Sequence, residues 1–581
     1  MRQEHYLGIF EGHYDPAVAI VRGGDVLAFS EEERHVRFKH APRMYPLHAL
    51  RYCLRAAGTD WEGVAGVGIN WDLPAYTDGT MASFFTKLRR EQEVDDATVG
   101  WQEGLLRRFH SDRYRDYHLT HWRRASGERL FPPLRPFSHH RVHAFQAAMQ
   151  SPFERSIVLT VDGSGDQHCT VLWRHEGLSL VPMREIVMPH SLGWVYAAFT
   201  EYLGFHAYDG EYKVMGLAAY GRPDAKLSAC LDRIVAPAPD GIEYRVDPRF
   251  IHYGRHTHSD RYTDALVELF GRPPRLPEEE ITSWHEAVAY AVQSKLERSV
   301  EPLVRWAVET TRIPDVCIGG GVGLNVKMNS RLFELPGVRD VFAQPLCGDG
   351  GAAAGAALLA WSTATGERPA RLRTLALGHE DGADEIEQAL RVARLNYERP
   401  SEICSAVAEE LARGRIVGWF QGRMEAGPRA LGQRSILADP RDAAQRDRVN
   451  AIVKFREYWR PFCPSMTSEA ASRYFERYTD APFMIISFRA NERLKREAPA
   501  IVHVDGTARA QLVHRDILPR YHRLLTEFEK RSGVPVLLNT SFNVKGEPIV
   551  CTIHDALRTF WSTGIEVLAA GDFLVRKPCL E

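Results

Sequence analysis

A chain of 581 residues is too long for a single hydrophobic core and predicts two or more large domains. Its 73 Lys and Arg against 75 Asp and Glu leave a formal net charge of −2, which excludes a global field drawing it to nucleic acid or an anionic membrane; neither is expected as a partner. No window holds the roughly 18 continuous apolar residues of a membrane span, and nine scattered cysteines, from Cys53 to Cys579, contain no Cys-x-x-Cys, so a reducing, cytoplasmic setting is expected rather than a disulfide framework or zinc ribbon.

In chain order, Tyr6–Phe10 and Ala17–Val21 read as strands around a polar turn, and a Gly23-Gly24 hairpin leads into Val26–Phe29. The pattern recurs at Ile157–Val161, Asp162-Gly163-Ser164-Gly165-Asp166 and Thr170–Trp173. Two such units predict an α/β fold of duplicated halves around a nucleotide cleft, as in the actin-like ATPase superfold. Between them, residues 82–130 are charged and helix-like, with Trp101, Tyr114, Tyr117 and Trp122: an acceptor-binding insertion, or a solvated helical excursion whose aromatics are core.

Ser138 is a good N-cap for a helix that would place His139 and His143 at i and i+4 on one face, the spacing at which two imidazoles share a metal, with His140 pointing elsewhere. Surface or satisfied core histidines are the other reading. An amphipathic helix follows at about 280–308, then the strand Val316-Cys317-Ile318 and Gly319–Asn325, which reads as a nucleotide turn. After Val341-Phe342-Ala343, Asp349 stands at a loop-helix junction before the small-residue run Ala352 to Ala360, placed to complete a His/His/Asp site or to act as an N-cap.

The polar stretch 362–400 suggests an interdomain connection. A helix from Ile403 to Arg413 and the strand Ile416–Phe420 then open a second domain. Between Arg423 and Arg460 nine Arg or Lys stand against five acids, with Gly and Pro fixing the backbone around them, which predicts a pocket for a small phosphorylated anion. Arg509 and Asn539 add donors after strand-like runs.

Several long motifs in one order make the chain similar to the O-carbamoyltransferase family that includes the nodulation-factor, tobramycin and cephalosporin carbamoyl-transferring enzymes. They are Glu31-Glu32-Glu33-Arg34 with Lys39-His40, His139-His140-x-x-His143, Gly210-Glu211-Tyr212-Lys213-Val214-Met215-Gly216, Gly320-Gly321-Val322-Gly323-Leu324-Asn325, Gly427-Pro428-Arg429-Ala430-Leu431-Gly432-x-Arg434-Ser435, Lys454-Phe455-Arg456 with Trp459-Arg460-Pro461-Phe462, and Asn539-Thr540-Ser541-Phe542-Asn543. The resemblance implies an actin-like, threonylcarbamoyl-tRNA-type domain over 1–370, a linker over 371–400 and a YrdC-like domain over 401–581. It further implies that the C-terminal domain makes carbamoyl-adenylate from carbamoyl phosphate and ATP, and that the N-terminal domain transfers the carbamoyl group to a hydroxyl of a small natural-product acceptor.

Carried over by position, carbamoyl phosphate falls to Arg429, Lys454, Arg460, Arg509 and Asn539, the nucleotide to Lys39, Glu211, Lys213, Gly320, Gly321 and Asn325, and a metal to His139, His143 and Asp349. That metal is iron(II) in family members, with Mg2+ or Mn2+ as other divalent choices. The general base falls to His13, Asp15 or Asp209; many relatives carry a His-Asp pair in the first turn, where this chain has His13-Tyr14-Asp15-Pro16. Two competing readings are a threonylcarbamoyl-type tRNA-modifying transferase, disfavoured by the neutral charge, and an actin-like sugar kinase, which leaves the His/His/Asp set and the arginine-rich region unexplained. A noncatalytic protein of the same superfold is the third.

Overall fold

The computed structural model describes residues 4–92, 94–127, 131–253 and 260–578. Cys579 lies outside them, as do residues 93 and 128–130 of the 82–130 stretch. The chain forms two compact α/β units. The first holds the chain up to Phe10, Val18–Leu27 and Leu54–Arg371; the second holds Glu11–Ala17, Ala28–Cys53 and the chain from Leu372 onward. No helix among the described residues is long and apolar enough to cross a membrane.

The first unit is built on two five-stranded sheets. One has the order β3-β2-β1-β4-β5, from β1 (His5–Phe10), β2 (Ala17–Arg22), β3 (Asp25–Glu31, whose last four residues count with the second unit), β4 (Val64–Ile69) and β5 (Leu134–Pro136). The other has the order β10-β9-β6-β7-β8, from β6 (Arg155–Gly165), β7 (His168–Glu176), β8 (Ser179–Val187), β9 (Asp315–Gly319) and β10 (Asp340–Ala343). Counted from its own first strand, each sheet has the order 3-2-1-4-5. In both, the first strand pairs with the fourth in parallel. Such strands are covered on both faces, which is why every residue of β1 is buried.

Helices α1 (His139–Gln150), α2 (Leu192–Tyr202), α3 (Glu211–Leu217), α4 (Ser283–Thr311) and α5 (Ala352–Thr365) surround these sheets. The small residues of α5 let it lie directly on the first sheet. A Cβ at Gly8 or Gly68 would overlap the carbonyl of Ala353 or Ala356, so both strand positions must be glycine. The 82–130 stretch forms three helices, Thr80–Glu91, Asp96–Arg108 and Ser111–Ser126. Its Tyr114 and Trp122 are buried, so those two aromatics serve packing.

The second unit carries a seven-stranded sheet of order β14-β13-β15-β12-β11-β16-β17. Its strands are β11 (Val417–Phe420), β12 (Arg434–Ala438), β13 (Cys463–Thr467), β14 (Gln511–Val513), β15 (Val536–Ser541), β16 (Val567–Ala570) and β17 (Phe573–Arg576). Helices α6 (Ile403–Ala412) and α7 (Pro519–Ser532) bury Val407, Leu411, Leu524 and Phe528 against Trp419, Leu537 and Val567 of the sheet. The N-terminal segment is part of this fold. Arg34 donates to the Gly427 carbonyl at 2.8 Å while Glu31 accepts from the Gly427 amide at 2.9 Å, so one buried ion pair grips both sides of a residue 393 positions away.

Gly68→Ala should cost about 1–3 kcal/mol or more through overpacking against α5, read as a lowered melting temperature. Gly100→Ala, at an exposed helical position with nothing within 4 Å of the new methyl, should instead stabilise by about 0.5–1 kcal/mol.

Candidate metal centre and anion-binding residues

Helix α1 begins at His139, and Ser138 occupies its N-cap without using its side chain. The cap comes instead from Asp166, in the β6–β7 turn, whose Oδ2 accepts from the His139 amide at 2.9 Å and whose Oδ1 accepts from the Asp72 amide at 3.1 Å. Burial pushes the Asp166 carboxyl up to about 6, against these hydrogen bonds and the nearby His139 charge.

The i, i+4 spacing brings Nε2 of His139 and His143 to 3.1 Å from each other. Asp162 Oδ2 lies 3.6 and 3.5 Å from these two nitrogens, and Asp349 Oδ1 lies 3.6 and 3.8 Å from them. All four ligating atoms fall within 4.8 Å of one another. His140 turns away, its Nδ1 against Thr160 Oγ1 at 2.9 Å and its Nε2 against the His168 carbonyl at 3.1 Å. Burial, then the neighbouring His139, holds its pKa well below the usual histidine value.

Glycines make room for this convergence. A Cβ on Gly165 would run into the His139 ring, and Gly320, at φ 82, passes so close to the Val161 carbonyl that no side chain fits. Two backbone amides aim Asp162, which lies near the end of β6: Gly321, just after β9, donates to its Oδ2 at 2.8 Å and Gly163 to its Oδ1 at 2.7 Å. Asp349 sits in the 3-10 turn that opens α5. Burial opposes protonation of His139, but the hydrogen bond to Asp162 and the charges of Asp349 and Asp162 overcome it and raise its pKa to about 9.

Such a set, two imidazoles and two carboxylates, suits a divalent transition metal. The surroundings agree. Asn70 Nδ2 lies 3.1 Å from His139 Nδ1 while its own Oδ1 is buried without a partner. With the amide turned end for end, Oδ1 accepts from Nδ1–H, and the His139 Nε2 lone pair is left for a cation.

The nucleotide residues expected in the first unit are largely engaged in local structure. Glu211 folds back to accept from the amides of Tyr208 and Gly210 at 2.9 and 3.2 Å, Lys213 lies over the Phe205 ring, and Asn325 caps the next helix through the Met328 amide while exchanging hydrogen bonds with Gln293. Asp209 stands half-buried before α3. The other two candidate bases belong to the second unit: His13 accepts from Arg43 Nε at 3.3 Å, and Asp15 meets His40 Nδ1 at 2.8 Å.

In the second unit, Glu425 Oε1 accepts from the amides of Leu431, Gln433 and Arg434 at 2.7, 3.1 and 3.1 Å, which folds the loop carrying Arg429 around one buried carboxylate. The Arg509 guanidinium brackets Cys463 Sγ at 3.0 and 2.8 Å. Asn539, opposite Cys463 in the sheet, donates to the Ala430 carbonyl at 3.1 Å. Two residues further along β15, the Ser541 carbonyl accepts from Lys454 Nζ at 2.8 Å, and Asn543 takes two more of its contacts. Burial first, then Arg456, Arg460 and Lys39, holds Lys454 well below the usual lysine pKa. Arg434, from the same cation-rich stretch, is fully buried over the Phe420 ring and donates to backbone carbonyls, so it is structural.

Asp162, Asp166 and Asn70 were not among the expected site residues. The Asp/Gly-rich turn after a buried strand marked the place of the two aspartates without marking their role.

The carbamoyltransferase N-terminus family model matches residues 5–358 and the carbamoyltransferase C-terminus model matches 408–577. The chain is 35% identical to an uncharacterized protein of Synechocystis sp. over 99% of this chain and 97% of that one. It is 35% identical to nodulation protein NolNO of Sinorhizobium fredii over 97% and 79%, and 34% identical to the 3'-hydroxymethylcephem-O-carbamoyltransferase of Amycolatopsis lactamdurans over 62% and 64%.

Asp162→Asn should weaken binding of a divalent metal at least tenfold, on the order of the effect of losing a supporting ligand contact, and His143→Ala should do the same. Metal retained per chain after dialysis reads both.

Proposed function

This chain belongs to the carbamoyltransferase family, and from that premise we propose that it is an ATP-dependent O-carbamoyltransferase working in two stages. The first unit is read as actin-like and the second as YrdC-like. The observation that carries the proposal is the presence in one chain of a His/His/Asp/Asp cluster and, in the other unit, a set of cationic and amide donors around β13 and β15.

In the second unit, Arg429, Lys454, Arg460, Arg509 and Asn539 hold carbamoyl phosphate. Hydrolysis releases phosphate and carbamate, and a carbamate oxygen attacks the α-phosphorus of ATP, giving carbamoyl-adenylate and pyrophosphate. Clustered cations let these anions approach one another. Carbamate itself is a poor acyl donor because its oxyanion leaves badly; adenylation makes AMP the leaving group.

In the first unit an acceptor hydroxyl attacks the carbamoyl carbon, AMP departs, and a base takes the hydroxyl proton. Asp209 is this unit's candidate for that base, with Glu211, Lys213, Gly320, Gly321 and Asn325 for nucleotide contacts; His13, Asp15 and Lys39, to which the family resemblance assigns the same roles, belong to the second unit. A divalent ion, iron(II) by family resemblance with Mg2+ or Mn2+ as alternatives, would be held by His139, His143, Asp349 and Asp162 and would offset phosphate and acyl-oxygen charge. The acceptor is a small natural product with a free hydroxyl, a reading supported by the relative named for a hydroxymethylcephem.

The test is release of pyrophosphate and AMP from ATP when carbamoyl phosphate, iron(II) and an acceptor are supplied; release independent of carbamoyl phosphate sinks the proposal. Arg509→Ala should lower pyrophosphate release on the order of a hundredfold and leave transfer from supplied carbamoyl-adenylate largely intact. His143→Ala should do the reverse.

A further inference from the structure

Among the described residues four arginines are buried: Arg34, Arg261, Arg275 and Arg434. Three of them spend their guanidinium donors on neighbours. Arg34 faces Glu31, Glu33 and the Gly427 carbonyl. Arg275 donates to the carbonyls of Leu203, Gly204, Pro277 and Glu279, and Arg434 to those of Gln421, Gly422 and His379.

Arg261 breaks the pattern. It is 1% exposed, its Nη2 donates to the Tyr208 hydroxyl at 3.0 Å, and its Nε and Nη1 are buried without a hydrogen-bond partner. Taking a guanidinium out of water is costly unless its N–H groups are paired. Glu201 feels its charge but forms no hydrogen bond with the guanidinium: Glu201 Oε2 accepts from the Arg261 backbone amide at 2.7 Å, and Glu201 Oε1 is buried with no hydrogen-bond partner.

Tyr208 covers this guanidinium. Its ring centroid lies 5.4 Å from the Arg261 Cζ, the residue is 42% exposed, and its backbone sits at φ 69, a left-handed conformation that is unfavourable for a bulky residue and concentrates at ligand sites. The same phenol lies within electrostatic reach of Asp349 in the metal cluster and of Glu211. Tyr208 thus lies between the idle donors, which it covers, and solvent, and a change of its rotamer would uncover them.

We propose that Arg261 and Tyr208 form an oxyanion subsite beside the His139/His143/Asp162/Asp349 cluster, accepting a phosphate or carboxylate group of a molecule bound there. Nε or Nη1, forked with the second hydrogen of Nη2, donates charge-assisted hydrogen bonds to the oxyanion, the interaction for which an incompletely paired guanidinium is suited, and the Tyr208 hydroxyl supplies a further donor. A phosphate would belong to the nucleotide donor and a carboxylate to the acceptor. The assignment rests on reading the first unit as the transfer site, but its test needs no turnover.

The full-length protein, without carbamoyl phosphate or acceptor, is titrated calorimetrically with inorganic phosphate and, separately, with acetate, and compared with Arg261→Met. Losing a charged hydrogen-bonding partner should weaken at least one probe on the order of tenfold, while the variant melts no lower than the parent because Met fills the same space without an unpaired charge. Loss of phosphate binding assigns the subsite to the donor, and loss of acetate binding to the acceptor. Equal binding of both probes by parent and variant, or no binding of either by the parent, overturns the subsite whether or not the chain uses carbamoyl phosphate. Should Arg261→Met not fold, Tyr208→Phe takes its place: weakening of about threefold or more supports the subsite, and unchanged binding overturns it.

Discussion

Two carboxylates and two imidazoles converge within 4.8 Å in the first unit, and much of that unit's local structure answers to this one electrostatic demand. Like charges at such range repel strongly where water is scarce. The fold offsets the repulsion with directed donors rather than with bulk positive charge: Gly321 and Gly163 amides on Asp162, and a histidine held protonated toward about 9 by the carboxylates around it. Space is handled in the same economical way, with hydrogen in place of a side chain at Gly165 and Gly320. The duplicated sheet order matters here because β6, which carries Asp162, and the turn after β9, which carries Gly321, come together at the same end of neighbouring parallel strands. A carboxylate and an amide 159 residues apart meet there.

The second unit meets a different demand, fixing the backbone of its arginine-bearing loops. It does so by burying other charges. Glu425 gathers three backbone amides, Arg434 gathers carbonyls, and Glu31 with Arg34 holds Gly427 from both sides. A cation buried and enclosed by backbone carbonyls, as Arg434 is, is thereby marked as scaffold, which its position in a charged stretch does not show. Lys454 is the intermediate case, since its ammonium is held by the loop of Ser541 and Asn543 while standing among Arg456, Arg460 and Lys39.

That distinction also explains what could be read from sequence. The pair His139 and His143 was legible because helical periodicity converts spacing into a shared face, and Asp349 was legible because a loop-helix junction is a local feature. Strands around Val316 and Val341 and the long helix near 280–308 came close to their observed bounds for the same reason, since apolar periodicity is local. Asp162 was not legible as a member of the cluster: its sequence had the composition of a phosphate-binding loop, and only the pairing of β6 with β9 shows where its carboxylate points. Ser138 looked like the cap of α1, yet Asp166 from another turn does that work. Arg434 and Arg429 stand five residues apart in one charged run, and nothing in the run says that the first is walled in by carbonyls.

The chain enters the second unit at Glu11–Ala17 and again at Ala28–Cys53, long before the bulk of that unit has been made. Contacts such as Arg34 with Gly427 span most of the polypeptide. During synthesis these early segments, with their buried Glu31, Glu32, Glu33 and Arg34, can pair among themselves but meet Gly427 only when the last third of the chain emerges, which gives the second unit a high contact order. For the same reason the chain cannot be divided near residue 370 into two self-sufficient halves: the N-terminal piece would carry an unburied cluster of charges, and the C-terminal piece would lack the clamp on its arginine loop.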